Sequence, residues 1–123
     1  MSAKILLVED DKYIRELYAH ILSKQHTIDE ADNGEDAYRK ITDGSYDLVL
    51  LDIMIPKING LQILEKLKTE SKLDKIKQII LLTNVDEEST VAQGVSYGVR
   101  GYLVKSQNPP EKLADQITAF LNP

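Results

Sequence analysis

Short runs of apolar residues alternate along this chain with stretches in which apolar positions recur every three or four residues, and brief polar breaks separate the two. KILLVE at 4–9 predicts a strand, and behind it Ile14, Leu17, Tyr18, Ile21 and Leu22 recur at helical spacing. TIDEA at 27–31 is a weaker, alternating strand. Asn33-Gly34 is a turn signal ahead of a helix carrying Ala37, Tyr38 and Ile41. DLVLLD at 47–52 predicts a third strand, and Asn59-Gly60 opens a helix with Leu61, Leu64 and Leu67 on one side. QIILLT at 78–83 is the fourth strand; a weaker helix near 86–97 follows, interrupted in pattern by Gly94 and ending around Gly98. GYLVK at 101–105 is the fifth strand, and Pro109-Pro110 starts a last helix with Leu113, Ala114, Ile117 and Leu121.

Five strands separated by helices imply parallel pairing through right-handed crossovers, with helices on both faces of the sheet. The runs at 5–8, 48–51 and 79–82 are apolar on both alternating faces, as strands between two helix layers must be. TIDEA alternates, as an edge strand does. The expected architecture is a three-layer α/β/α domain with strands one, three and four inside.

In such sheets the ligand crevice lies outside the carboxyl ends of the strands. Glu9 and Asp10 follow strand one, Asp52 ends strand three, Thr83 ends strand four and Lys105 ends strand five. A carboxylate at a strand end is more often a cap or a turn residue, by about 3 to 1. What lifts the functional reading is that four segments bring three acids, a hydroxyl and an ammonium to one edge. Mutual repulsion makes the acidic block costly unless a cation relieves it. Mg²⁺ takes one or two carboxylates plus a phosphate, and Asp10 and Asp52 are candidates for the carboxylates, with Glu9 holding a metal-bound water. A carboxylate beside Mg²⁺ also serves as a nucleophile toward phosphorus. Thr83 and Lys105 then suit the phosphoryl oxygens. Asp11 is expected in the first turn of the helix, where the dipole favours an acid.

Composition narrows the field further. At 123 residues the chain suits one domain, and its net charge of −5 makes nucleic-acid backbones and anionic membranes poor partners. Without Cys, disulfides and thiolate metal sites are excluded, and His20 and His26 are too few for a histidine-rich one. ILLV behind the N-terminus is too short for a signal peptide or a membrane span, so a cytoplasmic location is the expectation. Tyr18 and Tyr38 fall on apolar helix faces as core residues, His26 reads as a turn residue, and Tyr13 and Tyr46 are uninformative. KLKTESKLDKIK at 66–77 reads as a solvated helix end and loop.

At the strand-end residues the chain resembles the receiver domain of two-component response regulators, over nearly all of its length. ILLVEDD resembles that family's first strand with its acidic pair, and DLVLLDIMIPKINGLQIL resembles its phosphoacceptor segment, with Asp52 as acceptor, Pro56 in the loop and Gly60 at the helix start. Thr83 matches the switch hydroxyl, and GYLVK matches the family's aromatic and lysine, Tyr102 and Lys105. The resemblance implies a flavodoxin-like sheet in the order 2-1-3-4-5. It also implies Mg²⁺ held by Glu9, Asp10, Asp52 and the Met54 backbone carbonyl, with Thr83 and Tyr102 as switch residues. The implied phosphodonor is a phosphohistidine on a sensor kinase or phosphotransfer protein. The implied partners are that donor and a downstream protein target, with the domain a monomer or a phosphorylation-linked dimer.

Three departures from the family stand out. Ser106 replaces the usual Pro after the lysine, and because a cis bond before a non-Pro residue costs about 3 kcal/mol, a trans bond is expected. Asn84 stands where a small residue commonly follows the switch hydroxyl. Met54 and Val85, two residues after Asp52 and Thr83, are apolar at places that tune dephosphorylation in the family, which predicts slow self-dephosphorylation. Among rival functions, a Mg²⁺-dependent phosphohydrolase would need a second acid where Met54 stands. A receiver-like module that takes no phosphate conflicts with the intact set of reactive residues. A dinucleotide site lacks its Gly-rich loop. The sequence ends at FLNP, just after the fifth helix, and no output domain is expected within 1–123; a single-domain regulator and an excised receiver both fit.

Overall fold

The apolar runs stack into one parallel sheet. The computed structural model describes residues 2–73, 76–83 and 88–121. The chain runs β1 (Lys4–Val8), α1 (Lys12–Leu22), β2 (Thr27–Ala31), α2 (Gly34–Asp43), β3 (Leu48–Asp52), α3 (Gly60–Thr69), β4 (Ile79–Thr83), α4 (Glu88–Ser96), β5 (Gly101–Val104) and α5 (Pro110–Leu121). The strand order is β2-β1-β3-β4-β5, every pair parallel. β1, β3 and β4 therefore lie inside, as their two-sided apolar pattern requires.

Alternation along the strands sorts the core into two halves. Leu6, Val8, Val49, Leu51, Ile79 and Leu81 face one way and pack with Ala37 and Ile41 of α2 and Ile63, Leu64 and Leu67 of α3. Ile5, Leu7, Leu48, Leu50, Ile80 and Leu82 face the other way, against Tyr18 and Leu22 of α1 and Leu113 and Ile117 of α5. Each fully buried Leu or Ile contributes about 1.5–3 kcal/mol relative to exposure, so this sandwich fixes where every strand ends. The polar residues at the strand ends are positioned by that packing.

Local chemistry sets the helix starts. Asn33 caps α2 by accepting from the Asp36 amide, and Asn59 caps α3 in a reciprocal box with Gln62. Asp11 is corrected from its expected place: it is the N-cap of α1, accepting from the Ile14 amide, and the helix proper begins at Lys12. Gly94, where the apolar pattern breaks, lies within α4 as the expected helix requires. A Cβ there would lie 2.4 Å from Leu81 Cδ1, so glycine lets the helix approach the sheet. A single 3₁₀ turn, Lys105–Gln107, links β5 to the segment before α5. Among the described residues no helix is long and apolar enough to cross a membrane.

Candidate functional site

The parallel register brings the five expected side-chain groups to the carboxyl edge of the sheet. β1 and β3 pair Val8 with Leu51, so Glu9 and Asp10 emerge beside Asp52, the last residue of β3. β4 ends at Thr83, paired with Val104, and Lys105 follows directly. Burial divides the set. Glu9 is 0% exposed and Asp52 2%, whereas Asp10 lies on the surface, so the cluster opens to solvent through Asp10. Thr83 is buried at its lip.

Lys105 ties the cluster together. Its Nζ donates to Glu9 Oε1 at 2.5 Å and to Asp52 Oδ2 at 2.7 Å. The other Asp52 oxygen, Oδ1, accepts from the Met54 amide at 3.1 Å, and Glu9 Oε2 accepts from the Asp10 amide at 3.1 Å. Both buried carboxylates thus have each oxygen engaged. Burial pushes the Glu9 carboxyl up to about 8, aided by the neighbouring Asp52 carboxylate and opposed by Lys105. Burial alone would lower the Lys105 ammonium, but its bonds to Asp52 and Glu9 and their charges hold it above the usual lysine range. Burial also raises the phenol of Tyr18, whose surroundings include the charges of this cluster.

Carboxylate oxygens from Glu9, Asp10 and Asp52 lie within 4.8 Å of one another, close enough for one ion. Three hard oxygen donors, with neither sulfur nor imidazole among them, suit Mg²⁺ better than a softer metal.

Met54 projects its side chain into solvent at 72% exposure beside Asp52. Tyr102 is 41% exposed on the edge strand and lines a cleft of about 390 Å³ with Gln107, Lys112 and Gln116. The Lys105–Ser106 bond is trans. Asn84 and Val85 lie outside the described residues. His26 is buried more deeply than a turn residue needs to be, its Nδ1 accepting from the Ala3 amide at 3.2 Å. Tyr46, uninformative as sequence, is buried and donates to Asp29 Oδ2 at 2.8 Å.

One neighbour of the site carries no sequence signal of its own. Arg15, on α1, donates from Nη1 to the Glu9 backbone carbonyl at 2.9 Å and from Nε to Glu30 Oε1 at 3.2 Å. An arginine one turn into an amphipathic helix reads as solvated surface; only the return of α1 over the end of β1 gives it these partners.

Comparison with known proteins agrees with this fold. The family model described as the response regulator receiver domain matches residues 5–118. The chain is 38% identical over 111 residues to the transcriptional regulatory protein ResD of Bacillus subtilis, covering 89% of this chain and 45% of that protein. It is 37% identical over 112 residues to the transcriptional regulatory protein SrrA of Staphylococcus aureus, covering 90% and 45%. The chain therefore spans just under half the length of these curated relatives. Among solved structures, the chemotaxis response regulator CheY4 of Vibrio cholerae superposes with a TM-score of 0.84 at 25% identity, over 97% of this chain and 98% of that one. Response regulator DrrB of Thermotoga maritima superposes with a TM-score of 0.83 at 28% identity, over 99% of this chain and 54% of that one.

Proposed function

This chain belongs to the response regulator receiver family, and on that premise we propose that it is a phosphorylation switch in which Asp52 is the phosphoacceptor. A carboxylate oxygen of Asp52 attacks phosphorus of a phosphohistidine on a sensor kinase or phosphotransfer protein. The new O–P bond forms as the P–N bond breaks, and the histidine leaves with that electron pair. The observation that carries this reading is Asp52 itself: 2% exposed at the end of a central strand, and sharing one ammonium with Glu9.

Each neighbour has a task on this reading. Asp10 and Asp52 would hold Mg²⁺ through their carboxylates, with Glu9 and the Met54 carbonyl as the further groups that would complete its surroundings. When bound, the ion supplies Lewis-acid charge that offsets the phosphoryl oxygens. Lys105, already 2.7 Å from Asp52, stabilises the negative charge transferred to that carboxylate. Thr83 donates its hydroxyl to a phosphoryl oxygen. Because the ion requires deprotonated carboxylates, its affinity falls as pH falls.

The output surface is α4, β5 and α5, since Thr83 ends β4 beside the strand that carries Asp52 and Tyr102 lies on β5 itself, half-exposed. Phosphorylation shifts its two states by the differential contacts the phosphoryl group creates and by no more than that. Amide NMR shifts should reach Tyr102 and α5, and shifts confined to the Asp52 loop would refute this output route. The acceptor itself is tested by intact mass after incubation with a small phosphodonor and Mg²⁺. One phosphoryl group is expected on the parent and none on Asp52→Asn; an adduct of equal yield on that variant would overturn the assignment.

A further inference from the structure

We infer that Arg15 is a positioning residue for the cation site, fixing the Glu9–Asp10 peptide and with it the direction in which the Asp10 carboxylate leaves the chain. This inference rests on the reading of Glu9, Asp10 and Asp52 as a cation site.

The Glu9–Asp10 peptide plane is pinned at both of its polar atoms. Its carbonyl oxygen accepts from Arg15 Nη1 at 2.9 Å, and its N–H donates to the Glu9 carboxylate at 3.1 Å. The preceding plane is held by the sheet, because the Glu9 N–H donates to the Ala31 carbonyl at 3.0 Å. β1 ends at Val8, and among the described residues no backbone N–H takes the Glu9 carbonyl, so the guanidinium stands in for a strand partner. Without Arg15 the peptide would be held on one side only, by the buried Glu9 side chain.

The guanidinium is itself fixed. α1 begins directly after its cap Asp11, and Arg15 donates its amide to the Asp11 carbonyl in the first helical turn, which carries the side chain back over β1. Glu30 at the end of β2 holds Nε, and the Arg15 side chain is only 15% exposed. Two planar donors at fixed separation reach a backbone carbonyl and a carboxylate together, and a single ammonium does this poorly. Asp10 needs such support, because it is the exposed member of the acidic set and lies where the chain passes from strand to helix.

Charge and positioning make opposite predictions. A guanidinium beside a cation site repels the ion, so on charge alone its loss would strengthen binding. Loss of a hydrogen-bonding support typically weakens metal affinity by about 10- to 100-fold.

The experiment is a Mg²⁺ titration followed by amide NMR, on the parent, Arg15→Ala, Arg15→Lys, Glu30→Gln and Arg39→Ala, an exposed arginine paired with Asp36 and bonded to neither Glu9 nor Glu30, with the metal-free Asp10 amide shift and thermal midpoint of each. Arg15→Ala should bind Mg²⁺ about 10-fold more weakly and displace the Asp10 amide before any Mg²⁺ is added. Arg15→Lys should recover part of the loss, Glu30→Gln should show a smaller loss of the same sign, and Arg39→Ala should match the parent. A parent that takes up no Mg²⁺ overturns the site reading. A parent that binds, with Arg15→Ala binding equally or more tightly, overturns the role of Arg15 alone. Should Arg15→Ala fail to fold, parental affinity in both Arg15→Lys and Glu30→Gln would overturn it equally.

Discussion

Gly34→Ala should damage both the stability of this domain and its chemistry, although residue 34 carries no reactive group. Gly34 is the first residue of α2, and a helix generally gains up to about 1 kcal/mol from Ala in place of Gly. Tertiary contact reverses the sign. A Cβ at Gly34 would lie 1.8 Å from the Ile58 carbonyl oxygen and 2.8 Å from Ile58 Cβ, against an ordinary carbon–oxygen contact of about 3.3 Å. The carbonyl must therefore retreat by more than 1 Å, or α2 must lift from the sheet. Neither retreat is free, because the Gly34 amide donates to the Pro56 carbonyl at 3.1 Å and the Gly60 amide to the Ile53 carbonyl at 2.9 Å. The loop from Ile53 to Asn59 is thus held at α2 and at α3, and Asp52 lies directly before it. Overpacking of this kind costs about 1–3 kcal/mol. At roughly 4 °C per kcal/mol for a domain of this size, the thermal midpoint should fall by about 4–12 °C. Misplacing a reacting group by about 1 Å costs up to about 10²-fold in rate, so phosphorylation by a small donor should slow by 10-fold or more. The assays are urea and thermal unfolding together with the rate of the mass adduct. A parental midpoint would refute the close approach, and a lowered midpoint with a parental rate would refute the link between this loop and Asp52.

Met54→Asn should shorten the lifetime of the phosphorylated protein by on the order of 10²-fold at most, because a polar side chain there can orient the attacking water; decay no faster than the parent would remove Met54 from control of the lifetime. His26 is held below its usual 6.5 by burial, so the folded state takes up fewer protons than the unfolded chain there. Its contribution is complete above about pH 6.5 and is lost as pH falls from there through the lowered folded value. Glu9, raised by burial, acts in the opposite sense. The parent should therefore lose stability from about pH 7.5 to 5.5 relative to His26→Gln, and parallel urea midpoints for the two proteins would refute this. Tyr46→Phe should cost about 1 kcal/mol for the lost bond to Asp29, with unfolding midpoints unchanged if that bond contributes nothing.

What the sequence determined by itself was the alternation of strands and helices and the chemistry at the strand ends. Both are local properties. A run such as Leu48–Asp52 declares a strand buried on both faces, and parallel strands joined by helices carry their terminal residues to one edge whatever the details of packing. Strand ends alone group Glu9, Asp10, Asp52, Thr83 and Lys105. Tertiary structure decided what depends on partners far along the chain. Lys105 meets Glu9 across 96 residues and Asp52 across 53, and Tyr46 meets Asp29 across 17, separations over which no periodic pattern carries information. Asn33-Gly34 reads locally as a turn, but its glycine is required by the Ile58 carbonyl of another loop. Arg15 reads as surface until α1 folds back over β1 and offers it a carbonyl. In each case hydrophobic periodicity specifies which face of an element is buried, while identity at these positions answers to a single atom on a distant segment, and only the packed chain brings that atom within reach.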